Sequence, residues 1–173
     1  MKILNTERMI LRDWELSDLD DFSELWTNPN VTIPQGDLPK QNKDECLPLL
    51  MYLINAKNSY AFELKETGKV IGSVGLNEDT DNNPNGRNLG YILNEEYWNQ
   101  GYMTEALKKI IGYASEITSF LSVAFTVDND NFKSQHIIKK LGFRFIKTIN
   151  GGINKINGEP MPEANYFILD LIK

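Results

Sequence analysis

The hydrophobic period changes abruptly near residue 58. Before that point apolar residues recur at helical spacing, as Leu47, Leu50, Met51 and Ile54 do in a segment predicted to be helical over about 42–56. Beyond it they alternate. "SYAFELK" (59–65) and "KVIGSVGL" (69–76) read as strands joined by a hairpin at Glu66-Thr67-Gly68. A chain with adjacent strands at its centre and helices on either side is committed to an α+β architecture with a mostly antiparallel sheet.

The flanking segments extend this pattern. "RMILRDW" (8–14) is predicted to be the first strand, and "SDLDDFSELW" (17–26) a helix capped by Ser17. Residues 27–41 hold three prolines and a glycine and read as a loop. After a turn at 77–87, "NLGYILN" (88–94) is a further strand. The next helix carries one apolar stripe of Ala106, Leu107, Ile110, Ile111, Ala114 and Ile117. "FLSVAFTV" (120–127) is almost continuously apolar, the mark of a strand covered on both faces. A helix over 131–141 ends at Lys139-Lys140-Leu141-Gly142, and strands near 143–149 and 164–171 close the chain. The expected order is β-α-α-β-β-β-α-β-α-β-β in a single domain spanning 1–173.

Several function classes are excluded by bulk features. The net charge of -6 argues against a nucleic-acid-binding surface. The longest apolar runs are too short to span a bilayer. Cys46 is the only cysteine and no signal peptide is recognisable, so a cytoplasmic setting is expected. The chain has no P-loop and no dinucleotide fingerprint. "DTDNNPNG" (79–86) and "DNDNF" (128–132) look like calcium loops, yet neither has both the glycine and the glutamate in place. With one histidine and no ligand spacing, no metal site is expected.

The stretch "YWNQGYMTEALKKIIGYA" (97–114) begins its helix oddly, through Asn99-Gln100-Gly101. One reading makes Asn99 the cap and lets Gly101 ease a tight turn. The other leaves bare N–H groups facing an anion, attracted by the roughly half positive charge of a helix N-terminus.

The motifs around that stretch favour the second reading. "LGYILNEEYWNQGYMTEAL" (89–107) with "NFKSQHIIKKLGF" (131–143) resembles the GNAT superfamily of acyl-CoA-dependent N-acyltransferases. "TERMILRDWELSDLDDF" (6–22) is similar to the start of the ribosomal-protein alanine N-acetyltransferases and their relatives. The resemblance runs from about Thr6 to Leu171, with three motifs in order. It implies the GNAT fold: a central, mostly antiparallel mixed sheet with helices on both faces, splayed between its fourth and fifth strands. It also implies acetyl-CoA as co-substrate and no metal.

The resemblance carries over residue by residue. The amides of Gln100, Gly101, Tyr102, Met103 and Thr104 would bind the coenzyme's pyrophosphate, with Gly101 admitting the phosphate where a side chain would block it. The family pattern here is Gln or Arg, two residues, Gly, one residue, then Gly or Ala. Trp98 and Met103 hold its first and last places, and Asn99 stands where glycine is common. Ile92, Leu93 and Asn94 would face the pantetheine arm in the splay, and the Leu93 amide would polarise the thioester carbonyl, worth ~3 kcal/mol. Asn131 would hold the pantetheine amides while Ser134, three residues on and on the same helix face, serves the leaving thiolate. His136 points about 200° around the helix from Ser134, and Cys46 lacks a paired histidine, so neither is expected to act.

The general base is the weak point of the resemblance. Relatives often carry a glutamate two residues before the Gly-Tyr of the fourth strand, and here that place is Asn88. The expectation is that the amine loses its proton to water or to Glu63, Glu159 or Glu163. At pH 7 an α-amine of pKa near 8 needs only about 1 kcal/mol for this, a lysine side chain about 4.6 kcal/mol. The expected acceptor is therefore a primary amine of low pKa: a protein N-terminus, ribosomal ones included, or a small molecule. The rival expectation is a GNAT-fold module that binds acyl-CoA without transfer, as a monomer or homodimer in either case.

Overall fold

Alternation over 59–93 produces the strands it predicts. A computed structural model of the chain describes residues 1–79, 82–117, 120–150 and 163–171. Its strands are β1 (Leu4–Asn5), β2 (Met9–Arg12), β3 (Ser59–Leu64), β4 (Val70–Asn77), β5 (Gly86–Leu93), β6 (Ser122–Asp128), β7 (Arg144–Ile149) and β8 (Ala164–Asp170). They form one open mixed sheet in the order β1-β2-β3-β4-β5-β6-β8-β7. The helices are α1 (Leu19–Thr27), α2 (Pro29–Thr32), α3 (Lys43–Ala56), α4 (Tyr102–Glu116) and α5 (Phe132–Lys140). The expected α+β class is observed, and the expected strand-helix order is observed apart from one added strand (β1) and one added short helix (α2). Among the described residues, no helix is long and apolar enough to cross a membrane.

β5 and β6 pair in parallel, which requires the long crossover that α4 supplies. Their ladder is only three pairs long, Gly86↔Ser122 to Asn88↔Ala124, although β5 continues to Leu93 and β6 to Asp128. By contrast β6 and β8 pair antiparallel over seven residues, from Ser122↔Asp170 to Asp128↔Ala164.

The chain divides into two compact units. The first comprises Met1–Gly75 and Tyr91–Ile110, the second Leu76–Gly90 and Ile111–Lys173. In the first, Phe22 and Leu25 of α1 and Cys46 and Leu50 of α3 close over Ala61, Val70 and Ile92, with Trp14 edge-on to Phe22 at 5.0 Å. Each such fully buried apolar side chain stabilises by about 1.5–3 kcal/mol. In the second, Phe143 just beyond α5 packs edge-on against Phe125 at 5.1 Å, and Lys139 of α5 lies over the Phe167 ring. Side chains alternate along β6 and β8, so α5 covers the Phe125 and Phe167 face while Thr126 and Tyr166 point to the opposite one.

Three local expectations change. Ser17 lies within a 3-10 turn, Leu16–Asp18, and does not cap α1. Asp18 stands at the start of α1 instead, its side chain committed away from the helix: both oxygens accept from Arg12 at 2.8 Å, and one also accepts from the Glu15 amide. The expected loop at 27–41 contains α2, started by Pro29 in its first turn and by Asn28, whose side chain accepts from the Asn30 amide. β1 is an added two-residue strand held antiparallel to β2, too short to leave a periodic signal.

Candidate active site

The loop before α4 is shaped by two left-handed residues. Asn99 has φ 61° and Gly101 φ 85°. Asn is among the few side chains that tolerate this region, so Asn99 adopts the conformation that glycine would supply at that place. Gly101 starts α4, its carbonyl accepting from the Glu105 amide at 3.0 Å. The amides of Tyr102, Met103 and Thr104 lie in the first helical turn, with no carbonyl one turn earlier to receive them. Gln100 and Gly101 are exposed, and the Gln100 side chain folds back to donate to the Glu96 carbonyl at 2.7 Å. The result is a row of amides at a helix N-terminus, the arrangement that suits a phosphate.

Two contacts orient the end of β5. The Asn94 amide donates to the Ile71 carbonyl at 2.8 Å, and the Ile92 carbonyl points at β4, where a Cβ on Gly72 would meet it at 2.5 Å. Across a trans peptide the N–H and C=O point in opposite directions. The Leu93 amide therefore points away from β4, and so does the Leu93 carbonyl, which accepts from the Trp98 indole at 2.8 Å. Of the three expected residues, Leu93 turns its amide to the open edge. Ile92 turns its own to β4, and Asn94 is committed to Ile71. The Asn94 side chain also accepts from the Glu96 amide and donates to Glu24.

In the second unit, the Asn131 side chain accepts from the Ser134 amide at 3.1 Å and caps α5. Ser134 is half-buried, one turn along, and His136 is exposed. Cys46 is buried and unpaired, and burial pushes its thiol up, against a nucleophilic role.

Residues 8–144 match the family described as the acetyltransferase (GNAT) domain. The chain belongs to the GNAT acetyltransferase family. It is accordingly an acetyl-CoA-dependent acetyltransferase, similar at 29% identity over 150 residues to an uncharacterised N-acetyltransferase of Bacillus licheniformis, covering 83% of each chain. A GNAT-family acetyltransferase of Bacillus anthracis shares its fold with a TM-score of 0.85 at 17% identity, covering 98% of each chain. A spermidine N-acetyltransferase of Vibrio cholerae, solved with coenzyme A and spermine, aligns with a TM-score of 0.75 at 20% identity over 95% of this chain and 96% of that one.

The carboxylates of the acetyltransferase are distributed as follows. Glu63 is ion-paired with Arg12, whose guanidinium also binds Asp18. The Asp18 hydrogen bonds hold Arg12 above its ordinary value against the opposing effect of burial, and Glu63 adds to them. Glu63 is thus built into a structural ion-pair network. Glu163 is exposed at the start of β8, and Glu159 lies outside the described residues. Asn88 donates its amide to Thr126 Oγ1 at 2.9 Å and, at 3.5 Å, to Asp79.

The structure adds one element to the acetyltransferase's loop that sequence reasoning missed. Arg8 donates through Nε to Glu105 at 2.7 Å and through Nη1 to the Gln100 carbonyl at 3.0 Å, and stacks 3.9 Å over the Tyr102 ring. The same Glu105 accepts from the Arg8 backbone amide at 2.8 Å. Burial disfavours the Glu105 anion, but hydrogen bonds from Thr6 and Arg8 outweigh it and leave the carboxyl below its usual value. The turn between β1 and β2 thereby braces the loop that presents the amides.

Proposed function

We propose that the protein transfers the acetyl group of acetyl-CoA to a primary amine by direct attack in a ternary complex. The acceptor is a protein N-terminal α-amine or a small-molecule amine. The observation that carries this reading is the braced loop: left-handed Asn99 and Gly101 precede the first-turn amides of α4, with an arginine beside them. In this reading Gln100, Gly101, Tyr102, Met103 and Thr104 hold the pyrophosphate through backbone N–H groups. The Leu93 amide, on the edge away from β4, stabilises the oxyanion, while Ile92 and Asn94 shape the strand end around it. Asn131 uses its oxygen to cap α5 and offers its amide nitrogen to the pantetheine arm. Ser134, one turn on, donates to the leaving thiolate. Cys46, the only cysteine, is buried with its thiol pushed up, which favours direct attack over an acyl-enzyme.

The test is a thiol-release assay with acetyl-CoA against peptides with free N-termini, polyamines, amino acids and aminoglycosides. Acylated product with at least one class supports transfer. Tight coenzyme binding by calorimetry with no thiol release from any amine would instead identify a binding module of the same fold.

A further inference from the structure

We propose that Arg8 binds the coenzyme directly, donating through Nη2 to an oxygen of its pyrophosphate; the inference rests on the acetyl-transfer reading above and adds a residue to that same site. A guanidinium carries its N–H groups in a planar fork and stays charged at any working pH. Two of the three nitrogens of this fork are committed within the protein. Nε donates to Glu105 and Nη1 to the Gln100 carbonyl, at 2.7 and 3.0 Å. Among the described residues Nη2 has no acceptor.

That free nitrogen faces the open side of Gly101. A Cβ at position 101 would meet Nη2 at 3.5 Å and, apart from the chain neighbours, no other described heavy atom within 4 Å. The place a side chain would take is therefore empty and overlooked by one cationic donor. An oxygen seated there, displaced by a few tenths of an ångström, reaches the about 2.8 Å of a charge-assisted hydrogen bond. The Arg8 side chain is 38% exposed, so an incoming ligand can reach it.

Other polar side chains of the loop turn elsewhere. The Trp98 indole donates to the Leu93 carbonyl, and the Gln100 side chain donates to the Glu96 carbonyl. Glu95 and Glu96, exposed just before the loop, oppose an anion rather than attract it. The helix start offers only roughly half a positive charge. A pyrophosphate diester brings one negative charge on each phosphate, and Arg8 supplies the full positive charge that the amides lack.

The fork is also fixed before any ligand arrives. Glu105 accepts from both the side chain and the backbone amide of Arg8, and the Tyr102 ring lies 3.9 Å beneath the guanidinium. A side chain already held loses little freedom on binding, unlike the exposed Lys108 and Lys109 one turn further along α4. One arginine thus sets the shape of the loop and completes its charge.

Arg8→Gln tests this beside Glu105→Gln, since the first removes the donor and the second only loosens the brace. By calorimetry on the folded variants, Arg8→Gln should weaken coenzyme A about 10- to 100-fold, the worth of a hydrogen bond to a charged group, and Glu105→Gln by less than about threefold. The Arg8→Gln loss should be as large with 3′-dephospho-coenzyme A, which keeps the pyrophosphate. Its affinity should also fall less steeply than that of the wild type as salt is raised. Equal losses for the two variants, or equal salt dependence of Arg8→Gln and wild type, would make Arg8 a brace alone and overturn the proposal. A loss that disappears with the dephospho compound assigns the contact to the 3′-phosphate and overturns it too. Should Arg8→Gln not fold, a crystal structure of the wild type with coenzyme A decides. Nη2 within about 3.2 Å of a pyrophosphate oxygen supports the contact, and Nη2 facing solvent overturns it. A pyrophosphate seated away from residues 100–104, or no coenzyme binding by the wild type, overturns the proposed site and this inference together.

Discussion

The loop over 94–104 and the network around Asp79 solve their problems differently. The loop is continuous in sequence and presents backbone N–H groups, which every residue but proline carries. It therefore depends less on side-chain identity at Trp98, Asn99 and Met103 than on φ staying positive at Asn99 and Gly101. The network uses side chains from β5, β6, β8 and a turn, with Tyr166 and Asp79 separated by 87 residues. There a single substitution, at Asp79 or Tyr166, would remove a partner that no neighbouring residue supplies. A backbone site is robust to substitution and sensitive to conformation; a side-chain site is the reverse.

The largest effect that can break this comparison is Gly101→Glu. The new residue must adopt φ 85° and, in the proposed binding mode, place a carboxylate against the pyrophosphate. Coenzyme affinity should drop by at least about 100-fold, roughly 2.7 kcal/mol, with circular dichroism unchanged. Calorimetry giving wild-type affinity in the folded variant would remove the loop from the binding site.

Next comes the brace. Glu105→Gln should cost about 1–3 kcal/mol of unfolding free energy by weakening the Arg8 contacts. The folded Glu105 carboxyl lies below its unfolded value. Its contribution is therefore present above about pH 4.3, the unfolded value, and is lost as pH falls through the lower folded one. Denaturant titrations from pH 7 down to 3 should show this acid loss in the wild type and a flatter profile in Glu105→Gln. Equal slopes would mean that Glu105 does not carry the brace.

A smaller effect is expected on α5. Ser134→Ala should lower kcat about tenfold with little change in acetyl-CoA affinity, because in the proposed mechanism its donor is needed only as the thiolate departs. Asn131→Ala should weaken coenzyme binding instead, and should also cost about 1 kcal/mol of stability as the cap is lost. Identical kinetics for both variants and the wild type would leave the pair with a capping role only.

The smallest effect sharpens the point about conformation. Asn99→Gly should change stability by less than about 1 kcal/mol and leave coenzyme affinity intact, since both residues reach φ 61°. Asn99→Val, which resists that region, should weaken binding measurably more than the glycine variant. Indifference to both would show that the loop does not depend on a left-handed residue at 99.

Sequence alone determined the class of this fold and the location of its backbone-built loop. Helical and alternating periods are properties of neighbouring residues, so α3, α4, α5, β3 and β4 are legible where they stand. The Asn-Gln-Gly approach to α4 is legible for the same reason, because a helix start and its glycine are local. Periodicity did not reveal α2, one turn long, or the exchange of Ser17 for Asp18, which depends on the Arg12 side chain folding back from the end of β2. It also missed the clamp of Arg8 on Glu105, 97 residues apart, and the pairing of Asp79 with Tyr166. Those contacts were decided only by the tertiary structure. A charged or polar side chain carries no signal of its partner until strand order and register bring the two within hydrogen-bonding distance.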